Sequence, residues 1–274
     1  MDVEGKVVVV TGAGAGIGQA LAKRFTEEGA RHVAVADLDF ERAENVARSI
    51  GGSAYRVDVA DEQAVRRLVA QTEELAGPID LFCSNAGVLL LDPDMEAPAD
   101  TPDALWRIAW NVNVMAHVYA ARAVLPSMLL RGEGYLLNTV SAAGLLTMIG
   151  AASYATTKHA AIGLAESFAI AYGDRGIRVS VLCPQAVRTE MTDGIHSFGA
   201  DRDGIISPEH VADCTVKGLA AERFLILPHA TVAEYQRAKA YDPDRWIGGL
   251  RRARRAYLPR PGLGSASASP AKLT

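Results

Sequence analysis

Lys6–Gly18, KVVVVTGAGAGIG, passes from a β-branched apolar run into a turn rich in glycine, and the rest of the chain is read outward from it. Four successive valines without alternation predict a strand buried on both faces, Lys6–Thr11, followed by a helix over Gln19–Glu28. Gly12 suits a tight turn, Gly16 allows backbone to approach a pyrophosphate, and Gly18 allows the helix to pack on the sheet. The unpaired N–H groups at the helix start favour anionic oxygens. The strict G-x-G-x-x-G spacing is absent, because Ile17 and Gln19 stand where a last glycine would fall. By itself such a turn is compatible with a purely structural role, and its strand–turn–helix setting is what points to a dinucleotide.

The same alternation continues along the chain. Strands are expected at His32–Asp37, Ser53–Asp58, Ile79–Ser84, Gly134–Thr139, Arg178–Cys183 and Phe224–Leu227. Helices are expected at Glu41–Ile50, Asp61–Leu75 with Asp61 as its N-cap, Asp103–Leu130, Tyr154–Tyr172 and Pro208–Ala221. Strands alternating with helices give right-handed crossovers and an α/β fold. It is a doubly wound parallel sheet of about seven strands with helices on both faces. Residues 1–230 are read as one dinucleotide-binding and catalytic domain and 231–260 as a helical extension, with a helix over Thr231–Trp246. The stretch 261–274, PGLGSASASPAKLT, is read as a disordered tail. Arg251, Arg252, Arg254 and Arg255 read as a solvated basic face.

Composition narrows the partners. A formal charge of -4 offers no general attraction to nucleic acid or anionic membrane. Cys83, Cys183 and Cys214 are odd in number and far apart, with neither a disulfide framework nor metal-ligand spacing, so a reducing cytoplasm is expected. The N-terminus lacks the layout of a signal peptide, no apolar run reaches the ~20 residues of a membrane span, and no metal site is expected.

Asp37 ends the second strand, where a carboxylate accepts hydrogen bonds from both adenosine ribose hydroxyls and repels an added phosphate. Leu38 and Asp39 follow it, and no Arg or Lys occupies the glycine turn, so NAD is favoured over NADP. Asp58 and Val59 end the third strand and suit the adenine, although Asp58 equally suits the opening of the next helix. Tyr154 and Lys158 lie four apart on one helix face. An ammonium beside a phenol, joined by a cationic nicotinamide ring, is expected to lower a pKa that is otherwise about 10. Ser141, after the fifth strand, suits holding a substrate oxygen.

These motifs together resemble the single-domain, Rossmann-like branch of the short-chain dehydrogenase/reductase (SDR) family. The resemblance is carried by TGAGAGIG at Thr11–Gly18, SNAG at Ser84–Gly87, WNVN ending at Asn113, Ser141, YATTK at Tyr154–Lys158 and CPQAVRT at Cys183–Thr189. Ser141 and Tyr154 are thirteen positions apart, as the family pattern has them. The resemblance implies that Tyr154 is the general acid/base, Lys158 its electrostatic partner and holder of the nicotinamide ribose, and Ser141 the group positioning the substrate oxygen. It implies a proton relay from Lys158 held by Asn113, and a cofactor cleft lined by Asn85, Ala86 and Gly87. Pro184, Val187 and Thr189 are implied to meet the nicotinamide end. The activity implied is NAD-dependent interconversion of a secondary alcohol and a ketone, in a homotetramer or dimer assembled through the helices around Asp103–Leu130 and Tyr154–Tyr172.

Three departures stand out. Ser84 replaces a usual Asn, and Gln185 replaces the Gly of a usual Pro-Gly, facing either a polar substrate group or solvent. The chain after Phe224 lacks a usual Gly-Gly ending. Val88–Leu91, Ala142–Leu146 and Met191–Phe198 are expected to form an apolar pocket, the last as a mobile lid, suiting a hydrophobic alcohol of a cyclic, terpenoid or steroid-like kind. Competing readings are a protein that binds NAD only to regulate, and an epimerase or dehydratase that retains NAD. Intact Asn113, Ser141, Tyr154 and Lys158 argue against the first, and net NADH formation separates the second.

Overall fold

The computed structural model describes residues 1–193 and 203–257. Strand β1 (Val7–Thr11) is followed by α1 (Gly16–Glu27), β2 (His32–Asp37), α2 (Phe40–Ile50), β3 (Ser53–Arg56), α3 (Glu62–Ala76) and β4 (Leu81–Ser84). The second half adds α4 (Asp103–Trp110), α5 (Ala116–Arg131), β5 (Gly134–Thr139), α6 (Ala143–Leu146), α7 (Ala152–Tyr172), β6 (Ile177–Leu182), α8 (Pro208–Ala220) and β7 (Leu225–Ile226). Helices α9 (Thr231–Tyr241) and α10 (Pro243–Tyr257) complete the described chain. All pairings in the sheet are parallel, in the order β3-β2-β1-β4-β5-β6-β7. The winding therefore reverses between β1 and β4, and a crevice opens there beyond the strands' carboxyl ends.

The four valines of β1 explain why this strand is central. Val7 and Val9 enter the core layer that holds Leu68 of α3, Val124 of α5 and Ala161 of α7. Val8 and Val10 enter the opposite layer, with Leu21 and Phe25 of α1 and Leu219 of α8. All four are fully buried, each contributing roughly 1.5–3 kcal/mol of hydrophobic transfer. A period of two thus places apolar groups on both faces at once, which is what a doubly wound sheet requires.

The details differ from the sequence reading in several places. Strand β3 stops at Arg56 rather than Asp58, and β7 is confined to two residues. The helical stretch from Asp103 is interrupted by a π-helical turn at Asn111–Met115, between α4 and α5. The helix expected over Thr231–Trp246 ends at Tyr241, because Asp242-Pro243 starts a new one. Asp242 accepts the Arg245 N–H at 2.9 Å, and Pro243 supplies a first-turn residue that has no N–H to leave unpaired. The four arginines lie on α10, and Arg254 donates to the Met95 carbonyl at 3.1 Å. The tail from Pro261 and the lid residues Gly194–Phe198 lie outside the described residues.

Candidate active site

The glycine turn joins β1 to α1, and contact geometry dictates its composition. A Cβ on Gly18 would stand 2.1 Å from the Gly12 carbonyl oxygen and 2.6 Å from Asn85 Nδ2. Gly12 has φ +62° and would drive a Cβ to 2.8 Å from Ala86 Cα, and Gly16 has φ +53°. Such backbone is costly for residues with a side chain. Gly14 completes the cradle: its N–H donates to Asp37 Oδ2 at 2.8 Å, and a Cβ there would collide with Asp37 and Arg42. Asn85 Nδ2 donates to the carbonyls of Thr11 and Gly12 at 3.0 and 3.3 Å, which ties β4 to the turn. Ile17 packs beneath it in the α1/α8 core layer.

Asp37 stands at the carboxyl end of β2, and its second oxygen accepts the Asp39 N–H at 3.0 Å. The exposed Leu38 lies beside it. Asp58 and Val59 come close because the Val57 N–H donates to the Asp37 carbonyl at 2.8 Å, past the end of β3. Asp58 accepts the Ala60 N–H at 2.9 Å, whereas Asp61 caps α3 by accepting the Gln63 N–H at 2.8 Å. Asp58 is therefore not the helix cap. Opposite the turn, Thr189 Cγ2 would be 3.2 Å from a Cβ on Gly16, so the segment after β6 faces the cradle. Val187 pairs in a parallel bridge with Ile206, and the Pro184 carbonyl accepts the Ala142 N–H at 2.8 Å.

The chemistry-bearing side chains converge beyond β4, β5 and β6. Tyr154 and Lys158 occupy the buried face of α7, with Lys158 Nζ 5.5 Å from the Tyr154 ring centre. Lys158 Nζ donates to the Thr139 carbonyl at 3.2 Å, and burial lowers its pKa to about 8. Burial also holds the Tyr154 phenol above its ordinary value, opposed by its hydrogen bond with the Ser141 side chain. Burial thus works against the lowering expected of the ammonium and the nicotinamide ring together. Both groups lose water on one buried helix face, and the ammonium faces the Thr139 carbonyl. Ser141 also accepts the Ala143 N–H at 3.0 Å, which fixes the residue at the start of α6.

Asn113 is fully buried in the π-turn and works as a clamp. Its Oδ1 accepts the Val88 N–H at 3.0 Å, while Nδ2 donates to the Val88 carbonyl at 3.0 Å and to Thr157 Oγ1 at 3.2 Å. A Cβ on Gly87 would stand 3.3 Å from Asn113 Oδ1 and 3.4 Å from Lys158 Nζ, so these three residues adjoin. Single π-turns inside long helices are frequent at functional sites. Leu89 and Met148 pack against Tyr154 with Ala143 and Ala151, giving the phenol apolar surroundings.

Several participants escaped the sequence reading. Asp92, buried, accepts the Ala152 N–H through both oxygens at 2.9 and 3.1 Å and the Thr101 hydroxyl at 3.1 Å. It caps α7 from a distance, since Ala151 has no side chain to do so. Arg42 reaches Glu190 at 2.8 Å, linking α2 to the segment after Thr189 beside the glycine turn. The Ser84 departure is matched by His117, whose Nδ1 lies 2.8 Å from Ser84 Oγ. Burial lowers the imidazole pKa to about 3, so the ring is neutral. Gln185 is half-buried: its Nε2 donates to Asp203 Oδ2 at 3.0 Å, and its Oε1 has no hydrogen-bond partner among the described residues. Cys83 and Cys183 are buried, and burial raises both thiols, Cys183 to about 12. Among the described residues no helix is long and apolar enough to cross a membrane.

A parallel sheet wound in this order, with a glycine cradle and a hydroxyl–phenol–ammonium group at its carboxyl edge, defines a dinucleotide-dependent oxidoreductase. The family profile described as short chain dehydrogenase matches residues 6–198. The chain is 37% identical over 237 residues to 1-deoxy-11-beta-hydroxypentalenate dehydrogenase of Streptomyces exfoliatus, covering 84% of this chain and 85% of that one. It is similar to the crystal structure of a short chain dehydrogenase/reductase from Burkholderia phymatum in complex with NAD. That match has a TM-score of 0.77 and 29% identity, covering 89% of this chain and 96% of the other. A second similar structure is 7 alpha-hydroxysteroid dehydrogenase complexed with NADH and 7-oxo glycochenodeoxycholic acid. There the TM-score is 0.74 at 28% identity, covering 82% of this chain and 93% of the other. The chain belongs to the short-chain dehydrogenase/reductase family, oxidoreductases that use a nicotinamide cofactor.

Proposed function

We propose that this protein interconverts a hydrophobic secondary alcohol and its ketone, using NAD. The observation that carries the proposal is the burial of Tyr154, Ser141 and Lys158 together beyond β5 and β6, across the crevice from a cradle only glycine fits. Bound there, NAD supplies the hydride acceptor and a cationic ring. Gly12, Gly16, Gly18 and Ile17 would hold its pyrophosphate, Asp37 and Leu38 the adenosine ribose, and Asp58 and Val59 the adenine. Asn85, Ala86 and Gly87 would line the cleft, with Pro184, Val187 and Thr189 at the nicotinamide end. Asp37 favours NAD because its carboxylate already faces Gly14, where an added phosphate would meet like charge.

In the oxidative direction Ser141 holds the substrate hydroxyl and Tyr154 takes its proton. Burial alone works against a phenolate, so the positive charge of Lys158 and of the cofactor ring must outweigh it. Lys158 would pass the proton toward solvent through water held at the Asn113 backbone in the π-turn. Reduction reverses these steps. The apolar contacts of Leu89 and Met148 with Tyr154 support a hydrophobic substrate, as do the names of the two similar dehydrogenases. Leu130 on α5 and Ile170 on α7 are 90% and 82% exposed, which supports assembly of a dimer or tetramer through these helices. The three free cysteines support a cytoplasmic setting.

A panel of secondary alcohols offered with NAD or NADP tests the reading through the absorbance of the reduced cofactor. NADH formation from bulky apolar alcohols is the expected result. Turnover restricted to NADP, or to small charged sugars, would refute it.

A further inference from the structure

Helix α9 holds both walls of the crevice around Ser141. Its Tyr235 and Lys239 are four positions apart and share one face. The Tyr235 hydroxyl donates to Asp203 Oδ1 at 3.0 Å, and the other Asp203 oxygen receives Gln185 Nε2 at 3.0 Å. Gln185 follows Pro184, whose carbonyl accepts the Ala142 N–H at 2.8 Å and the Ser141 hydroxyl at 3.5 Å. His229 secures the same corner: its Nδ1 accepts the Gln185 N–H and its Nε2 donates to the Gly204 carbonyl, both at 3.2 Å.

One turn further along α9, Lys239 Nζ donates to the Leu145 carbonyl at 2.7 Å and to His159 Nε2 at 3.2 Å. Leu145 belongs to α6, a helix of four residues that ends in Thr147 at φ +82°. So short a helix leaves its last carbonyls without internal partners, and Thr147 holds an unfavourable backbone conformation. Lys239 satisfies one of these carbonyls and links α6 to His159, the neighbour of Lys158 on α7. Two departures noted in the sequence, Gln185 and the altered chain ending, thus meet at the single carboxylate of Asp203.

We propose that α9 is a brace that sets the width of the substrate pocket. Tyr235 and Lys239 are its specificity-determining residues, acting through the walls they hold rather than by touching substrate. The proposal rests on the alcohol-oxidising reading above and adds to it a selectivity for rigid, bulky alcohols over small ones. A pocket with fixed walls discriminates by shape, because binding then need not order the walls.

The test compares the full chain with Tyr235→Phe, Lys239→Met and Lys239→Arg, on one bulky cyclic and one small acyclic secondary alcohol at saturating NAD. Tyr235→Phe and Lys239→Met are expected to raise KM for the bulky alcohol about five- to tenfold, the worth of one such hydrogen bond. They are expected to leave kcat within about twofold, since neither residue touches the reacting atoms. NAD affinity should stay unchanged, the preference for the bulky alcohol should fall, and Lys239→Arg should restore most of it. An unchanged preference in folded variants would overturn the proposal, as would an equal loss on both alcohols together with NAD affinity. Hydrogen exchange keeps the two claims separable. If the unmodified protein turns over no alcohol, the functional reading fails. The brace then stands if amides 143–147 and Gln185 exchange faster in the variants, and falls if they do not.

Discussion

Replacing Asp92 by alanine isolates the way a distant carboxylate sets the catalytic helix. Asp92 gives α7 the cap that Ala151 lacks, through two contacts to the Ala152 N–H, two residues before Tyr154. Loss of such a cap costs about 1–2 kcal/mol. The Thr101 hydroxyl, 5% exposed, then loses its acceptor, and a buried polar group left unpaired costs about 1–3 kcal/mol. Because the two effects share one pocket they do not simply add, and about 2–4 kcal/mol is expected for Asp92→Ala. At roughly 2–4 °C per kcal/mol for a chain of this size, Tm should fall by about 5–15 °C. Asp92→Asn keeps one carbonyl oxygen for the helix N–H and should cost only about 1 kcal/mol. Urea unfolding gives the stability, and turnover at a temperature where Asp92→Ala remains folded gives the rate. NAD affinity should be preserved while kcat falls, since the cap acts on the first turn of α7 and not on the glycine cradle. An Asp92→Ala protein within about 0.5 kcal/mol of the unmodified one would refute this reasoning.

Gly18→Ala should abolish NAD binding measured by calorimetry, because the added methyl meets the Gly12 carbonyl at 2.1 Å and backbone must move out of the cradle. A Gly18→Ala protein with native NAD affinity would show that the turn does not hold the cofactor. His117 makes acid stability testable. Its folded pKa of about 3 lies below the ordinary 6.5, so between these values the unfolded chain binds the extra proton. Stability is therefore complete above pH 6.5 and declines as pH falls toward 3, by up to about 1.4 kcal/mol per pH unit. His117→Gln should flatten that limb in urea titrations from pH 7 to 4.5, and an unaltered slope would contradict the assignment.

The architecture was legible because its signals are local. The four valines of β1 state their double burial directly, and Gly12, Gly16 and Gly18 occupy the positions that backbone sterics demand. Tyr154, Lys158 and Ser141 were recognisable by helix period and by order along the chain. What stayed hidden depends on contacts distant in sequence. Asp92 caps a helix sixty positions away, and nothing near it resembles a cap. Lys239 reaches Leu145 across ninety-four positions. The π-turn at Asn113 leaves no mark in apolar periodicity, since one wider turn shifts the helix face without breaking it. The break between α9 and α10 was different, because Asp242-Pro243 is a local signal of a new helix. The direction of the Tyr154 pKa required knowing how completely the phenol is buried, which no local pattern states.

Tyr154 as the proton acceptor is tested most directly by kcat/KM for a responsive alcohol in Tyr154→Phe, measured beside the NAD dissociation constant. Loss of the general base should lower kcat/KM by about 10²–10⁴ while NAD still binds, since the phenyl ring preserves the packing with Leu89 and Met148. A variant that oxidises the alcohol at the native rate would contradict it.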